Sequence, residues 1–181
     1  MDITGITESI NEGGVGIIPT DTLYGLVGSA QNAEAIERIY DLKRRDPRKP
    51  LIVLISHTDQ LEQFGIELSE SLLAQLGTYW PGAYSIILPT IDDQFEYLSR
   101  GEDTIAFRLP DSEELRALIE ETGPLVAPSA NVEGLPPATT VEGAKKYFGT
   151  DVDFYVDGGE LDGKASTILR FDGNDVEIVR D

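Results

Sequence analysis

Cysteine is missing altogether from the 181 residues, and histidine occurs once, at His57. The first absence removes any disulfide framework and any thiolate nucleophile, and it agrees with a reducing compartment. The second excludes a metal site built from several histidines. Long hydrophobic runs are missing too: the longest aliphatic stretch, Leu51 to Ile55, has five residues, against the roughly 20 needed to span a bilayer. Met1-Asp2-Ile3-Thr4 carries neither the basic region nor the apolar run of a signal peptide, so a cytoplasmic protein without membrane contact is expected. Positive charge is also scarce. Fourteen Lys and Arg stand against 33 Asp and Glu, a net charge of −19. Such a surface repels nucleic acid beyond about one Debye length, roughly 8 Å at physiological salt, and direct RNA binding is expected to be weak or absent.

The little positive charge there is gathers in one place. No Lys or Arg precedes Arg38, yet five of the 14 fall between Lys43 and Lys49, in Lys43-Arg44-Arg45-Asp46-Pro47-Arg48-Lys49-Pro50. Two readings are open: an anion site, or a solvated helix end, where cations are favoured by the helix dipole.

Composition is otherwise ordinary for a globular chain, with 40% apolar and 26% charged residues, and the length suits one domain spanning 1–181. Ile3, Ile6 and Ile10 have helical spacing up to Gly13-Gly14, and Val15 to Pro19 reads as a buried strand. Thr20-Asp21-Thr22-Leu23-Tyr24-Gly25-Leu26 then places hydroxyls and a carboxylate beyond a strand end, where open α/β sheets bind ligands; a helix cap or turn built from Thr and Asp is the alternative. Asn32 can cap a helix running to about Arg45. Leu51 to Ile55 is a buried strand, with His57 on a surface turn beyond it.

Residues 67–77 read as a helix, and Trp80-Pro81-Gly82 as a turn into a strand over 84–88. Residues 91–103 read as an exposed loop. Thr104 to Leu109 is a strand carrying Arg108, and an arginine in an apolar strand requires a partner, which is either a protein carboxylate or a ligand carboxylate. Asp111-Ser112-Glu113-Glu114 has the form of a capping box for a helix to Thr122, and Leu125 to Pro128 forms a short strand before Ser129-Ala130-Asn131. Thr139 with Glu142 can cap a helix through Phe148, and strands follow near 153–157, 166–171 and 175–179.

Two glycine motifs fail on inspection. Gly158-Gly159-Glu160-Leu161-Asp162-Gly163-Lys164 has the spacing of a phosphate loop, but Ala165 stands where Ser or Thr should reach magnesium, two acids lie inside it, and a strand follows instead of a helix. In Gly14-Val15-Gly16 the glycines precede the strand. What remains is a set of polar groups after different strands: Thr20, the 43–49 cluster, Arg108, Ser129 with Asn131, and Ser166. Lys and Arg suit phosphate oxygens, and a second arginine suits a carboxylate. The set fits a polyphosphate plus a small acid, held by positioning and charge neutralisation without covalent catalysis.

Pro19-Thr20-Asp21-Thr22-Leu23-Tyr24-Gly25-Leu26, Lys43-Arg44-Arg45 with Lys49-Pro50-Leu51, Trp80-Pro81-Gly82, Ala106-Phe107-Arg108-Leu109-Pro110, Ser129-Ala130-Asn131 and Ser166-Thr167, in that order over nearly the whole chain, closely resemble the YrdC/Sua5 family. The resemblance implies an α/β fold, a twisted mixed sheet with flanking helices around a concave, positively lined cavity. It implies a nucleotidyltransferase, an L-threonylcarbamoyladenylate synthase making threonylcarbamoyl-AMP and pyrophosphate from L-threonine, bicarbonate and ATP. ATP would enter with Mg²⁺ as substrate, with no protein metal site and no tightly bound cofactor. A t6A transferase complex would then use the product on tRNAs reading codons that begin with A. By the same resemblance Lys43 and Arg45 are the catalytic pair, and Lys43, Arg45, Lys49, Ser129, Asn131 and Arg180 bind ATP. Thr20, Arg108 and Ser166 form the threonine pocket.

The chain departs from the family pattern in three respects. Glu133-Gly134 replaces the usual Ser-Gly, Ala83-Tyr84-Ser85 replaces Pro-Leu-Thr after Trp80-Pro81-Gly82, and the acidity is unusual. The second moves toward YciO-like paralogues, and a non-catalytic YciO-like nucleotide- or RNA-binding protein is the alternative. A carbamoyl-adenylate enzyme of hydrogenase maturation shares this domain but normally carries further ones.

Overall fold

The computed structural model describes residues 3–90, 93–173 and 175–181. Nine strands form one mixed sheet: β1 (Gly16–Pro19), β2 (Tyr24–Ser29), β3 (Ile52–Leu54), β4 (Tyr84–Pro89), β5 (Thr104–Arg108), β6 (Leu125–Val126), β7 (Phe154–Tyr155), β8 (Thr167–Asp172) and β9 (Asp175–Arg180). Their order across the sheet is β7-β1-β2-β6-β3-β5-β4-β8-β9. β1/β7, β3/β5 and β4/β8 are parallel, and the other neighbours are antiparallel.

Alternation along the strands divides the apolar side chains between two faces. Ile18, Val27, Leu54 and Leu125 pack with Ile6 and Ile10 of α1 (Ile3–Asn11) and Leu115, Leu118 and Ile119 of α5 (Glu113–Thr122). Ile17, Leu26, Val53 and Val126 belong to the larger core, with Ala35, Ile36 and Ile39 of α2 (Ala33–Lys43), Leu76 of α3 (Glu70–Leu76), and Val141, Ala144 and Phe148 of α6 (Val141–Phe148). Helices therefore flank both sides, as expected.

The helix starts follow capping chemistry. Asn32 Oδ1 accepts from Ala35 N at 3.0 Å, as its position suggested. The other two expected caps are each displaced by one residue: Ser112, not Asp111, caps α5, and Thr140, not Thr139, caps α6. α2 ends at Lys43 because Arg44 turns left-handed (φ 49°), so the basic cluster leaves the helix about two residues before the expected end at Arg45.

Three segments correct the sequence reading. Residues 24–29, to which the sequence reading assigned no strand, form strand β2, whose first five residues are buried. Residues 91 and 92 of the expected exposed loop lie outside the described residues. The remainder is not a plain loop: a 3₁₀ turn at Asp93–Phe95 leads into α4 (Glu96–Ser99), which buries Phe95 and Leu98. A 3₁₀ helix over Thr58–Phe64 also went unread; it buries Leu61 and Phe64.

Candidate functional site

A cavity of about 160 Å³ opens where several strand ends converge. Thr20, Thr22, Leu23 and Tyr24 come from the β1–β2 hairpin, Arg108 from the end of β5, Pro128 and Ser129 from the segment after β6, and Ser166 and Ile168 from the start of β8. Arg45 reaches it from the turn after α2, and Arg180 from the end of β9. Six of the residues expected at a site, Thr20, Arg45, Arg108, Ser129, Ser166 and Arg180, thus share one wall system.

The hairpin that carries Thr20 is closed by that residue's own hydroxyl. Thr20 Oγ1 donates to Leu23 O at 2.6 Å and accepts from Thr22 N and Leu23 N, each at 3.2 Å. Thr and Asp therefore do make a turn here, and the hydroxyl's one proton is already engaged. Next to it the Arg108 question resolves: the guanidinium lies 3.1 Å from the Asp21 carboxylate and donates to Thr22 Oγ1 at 3.2 Å. The other Asp21 oxygen accepts from Asp111 N at 3.0 Å, which holds the carboxylate in place beside the arginine. With five N–H groups on a guanidinium, Arg108 keeps donors for a ligand.

Arg45 and Arg180 are mounted differently. Arg45 donates to the backbone carbonyls of Lys49 and Pro50, at 3.3 and 3.0 Å. Arg180 donates to Ser166 O at 2.6 Å. Among the described residues neither has a carboxylate within ion-pair distance. Burial, and after it the Arg45 charge, lower Arg180 from the ordinary arginine range, as expected of two cations facing one space. Arg180 reaches the cavity through a register shift between Ile168 and Leu169, which brings Arg180 rather than Val179 opposite the cavity residue Ile168. Such bulges commonly re-aim a side chain near a site.

Lys43 stands behind the wall. Only 2% exposed, its ammonium donates to Ser129 O and to Asn131 O (2.8 Å) and Oδ1 (3.3 Å). Asn131 in turn accepts from Ser129 Oγ at 2.6 Å and donates to Val132 O and Leu135 O. Lys43, Ser129 and Asn131 are therefore one network, of which Ser129 alone faces the cavity. Burial, then the Arg45 charge, bring Lys43 down to about 7.

The rest of the basic cluster disperses. Arg44 is exposed, Arg48 pairs with Asp46 at 2.8 Å, and Lys49 pairs with Glu133, whose other oxygen accepts from Asp46 N at 2.6 Å. Glu133 consequently faces Lys49 and the 43–49 turn, and Lys49 is not part of the cavity lining. Tyr84 is 40% exposed with its ring against Tyr79. His57 is exposed and meets Glu120 at 2.8 Å, in keeping with a surface turn. Ser166 Oγ shares a 2.7 Å hydrogen bond with Ser85 Oγ.

Two participants were missed. Thr22 lines the cavity and steadies Arg108; its place in Thr20-Asp21-Thr22 was the available signal. Tyr24, fully buried, accepts from Gly158 N at 2.8 Å and donates to Gly159 O at 2.7 Å, fastening the 158–165 segment beside the site. That tie joins residues 134 and 135 positions apart, and no local pattern announces it. Among the described residues no group of three or more His, Cys, Asp or Glu could hold a metal ion, and no helix is long and apolar enough to cross a membrane.

A family model for Sua5, YciO and YrdC proteins, described as "Telomere recombination", matches residues 8–181. The threonylcarbamoyl-AMP synthase of Bacillus subtilis (strain 168) is 37% identical over 88% of this chain and 47% of its own length, so the chain spans about half of that relative. The synthase of Pseudomonas paraeruginosa (strain DSM 24068 / PA7) is 33% identical over 94% of this chain and 92% of its own length. Among solved structures, Sua5 of P. abyssi complexed with L-threonine superposes with a TM-score of 0.90 at 32% identity, over 98% of this chain and 53% of that one. With the family model spanning nearly the whole chain and its relatives alike in sequence and fold, the chain belongs to the Sua5/YciO/YrdC family.

Proposed function

We propose that the chain is an L-threonylcarbamoyladenylate synthase, which converts L-threonine, bicarbonate and ATP into threonylcarbamoyl-AMP and pyrophosphate. The observation that carries this reading is the pair Arg45 and Arg180: two cations from distant parts of the chain face one cavity without a carboxylate between them. In a protein of net charge −19, cations left in that state suit a ligand of several negative charges. Arg108 at the same cavity suits the carboxylate of a small acid, and the L-threonine complex of the P. abyssi relative supports that assignment.

Size divides the ligands. About 160 Å³ is below the ~300–1,000 Å³ of sites that enclose drug-sized molecules. An amino acid fits inside it, while a nucleotide extends across the mouth, toward Arg45 and Ser129. Bicarbonate gives carbon dioxide and hydroxide; the threonine amine takes up the carbon dioxide as a carbamate, and the proton it loses joins the hydroxide as water. A carbamate oxygen then bonds to the α-phosphorus as the bond to the pyrophosphate oxygen breaks. Arg45 and Arg180 offset the charge that gathers on the departing pyrophosphate, Mg²⁺ arrives with ATP on its phosphates, and no protein nucleophile takes part. Lys43 and Asn131 act through Ser129, whose carbonyl and hydroxyl they hold. Thr20 contributes the turn that carries Asp21 and Thr22, and Ser166 the opposite wall. A t6A transferase complex consumes the product. The acidic exterior favours release of threonylcarbamoyl-AMP to that complex over direct tRNA binding.

Pyrophosphate release from ATP by the purified chain, with and without L-threonine and bicarbonate, tests the reading. Release is expected only with both co-substrates, and Arg45→Ala and Arg180→Ala are expected to remove it. ATP binding with no release under any combination overturns the synthase and leaves a YciO-like nucleotide-binding protein.

A further inference from the structure

The two edges of the sheet are treated very differently. At one end β7 consists of two half-buried residues, Phe154 and Tyr155. At the other, β9 runs for six residues, all exposed, and among the described residues it pairs with β8 alone. An edge of that length presents a row of unpaired backbone donors and acceptors, which proteins ordinarily blunt with proline, inward charge or a covering segment. β9 has no proline and, among the described residues, no covering segment; its inward charge, Arg180, and its register shift both lie at its last residues and leave 175–178 unprotected. Val176, Ile178 and Val179 lie within four positions and make up three of the six exposed large hydrophobic residues described in the chain, Ile178 at 63% exposure.

The ladder gives this edge two unlike faces. Val176 stands opposite Phe171, and Ile178 opposite the buried Leu169, so these four share one face. It continues past Phe171 into a groove lined by Leu72, Leu88 and Pro89. On the other face Asp175 stands opposite Asp172, and Glu177 opposite Arg170. Beyond the register shift Arg180 is turned into the cavity and Asp181 accepts from Thr167 Oγ1 at 3.3 Å. Among the described residues of the ladder, the positive charge left at that face is Arg170, 3.6 Å from Glu177 and half exposed. Self-pairing of two β9 strands would bring these acids together from both copies, which disfavours a second copy as the occupant.

We infer that the free edge of β9 is a docking site for an extended strand of a partner protein in which apolar residues alternate with basic ones. Backbone hydrogen bonds to β9 supply the attachment. The apolar side chains extend the Phe171–Val176–Ile178 face, and the basic ones meet Asp172, Asp175 and Glu177. This inference is independent of the reaction assigned to the cavity.

A capped synthetic peptide in which lysine alternates with valine and isoleucine provides the probe. Its control keeps the lysines but places proline at the apolar positions. Amide hydrogen exchange of the full chain is followed with each peptide. The alternating peptide is expected to slow the outward amides of residues 175–180 by about tenfold or more, and the proline peptide to leave them unchanged. Ile178→Lys is expected to abolish the protection while the amides of β1 to β5 keep their wild-type rates. Val176→Lys is read in the same way should the first variant disturb the fold. Three outcomes overturn the inference: no protection of β9 at saturating peptide, equal protection by both peptides, or a dimer in light scattering that Ile178→Lys dissolves.

Discussion

The Arg108 guanidinium and the Asp21 carboxylate meet at 3.1 Å with only 5% and 10% of their side chains exposed. A buried charge whose partner is removed is strongly destabilising, whereas the pair itself adds little over an apolar replacement. Asp21→Ala is therefore expected to lower the unfolding free energy by about 3 kcal/mol, read by urea denaturation. The Arg108→Met/Asp21→Ala double variant is expected to lose much less than the sum of the single changes. Additive losses would refute the pairing.

Lys43 makes stability depend on pH. With its folded value brought down to about 7 and an unfolded lysine near 10.4, the unfolded chain binds more protons over the interval between them. This side chain's contribution then makes the unfolding free energy rise with pH from about 7 upward. Urea midpoints of wild type and Lys43→Met between about pH 7 and 9 check it. Wild type is expected to gain on the variant as pH rises, and parallel slopes would mean that the oxygens of Ser129 and Asn131 hold the ammonium proton.

Tyr24→Phe leaves Gly158 N and Gly159 O without the hydroxyl that joins them to β2. A loss of about 1–3 kcal/mol is expected, together with faster proteolysis within residues 158–165.

Gly163→Ala acts on the same segment from its far end, since a Cβ there would lie 1.9 Å from Thr22 O. Backbone cannot yield as a flexible side chain does. The segment is expected to move away from the hairpin, with a raised KM for threonine and a lowered thermal midpoint.

Glu133→Gln removes the charge partner of Lys49 while keeping an acceptor for Asp46 N. The freed ammonium is expected to lower KM for ATP by about twofold to fivefold with kcat nearly unchanged, the signature of altered uniform binding. A fall in kcat alone would show instead that Glu133 positions the 43–49 turn.

Capping signals identified α5 and α6, and periodicity identified α3, of which Leu76 alone is buried, and α1 and α2, because each buries a stripe on one side only. β2 escaped it for the opposite reason. Its sequence Tyr24-Gly25-Leu26-Val27-Gly28-Ser29 is buried on both faces, so no alternation of polar and apolar residues marks it. Its glycines look like turn residues, yet they serve contact: a Cβ on Gly28 would lie 3.1 Å from both Ile39 and Val15. At the site, Arg45 and Arg108 were legible as residues whose charge needs an explanation, and Arg180 only through the family resemblance. Their mounting was not. Arg108 reaches Asp21 across 87 positions only because β5 ends beside the hairpin, and Arg180 owes its direction to one extra residue in β9. Lys43 could be named from sequence, but its place behind Ser129 is a property of packing.

Arg45 and Arg180 point inward in a chain whose net charge is −19. An anion approaching from bulk water is repelled at long range and attracted only after it has entered. Dissolved salt screens the long-range part far more than contacts of a few ångströms, given a Debye length of about 10 Å at 0.1 M. On the proposed function, arrival and residence are expected to answer ionic strength in opposite directions: added salt is expected to hasten entry of a polyphosphate while slightly loosening its hold. The molecule behaves as a valve whose threshold lies outside its pocket, and the ionic strength around it sets how readily that valve admits a ligand.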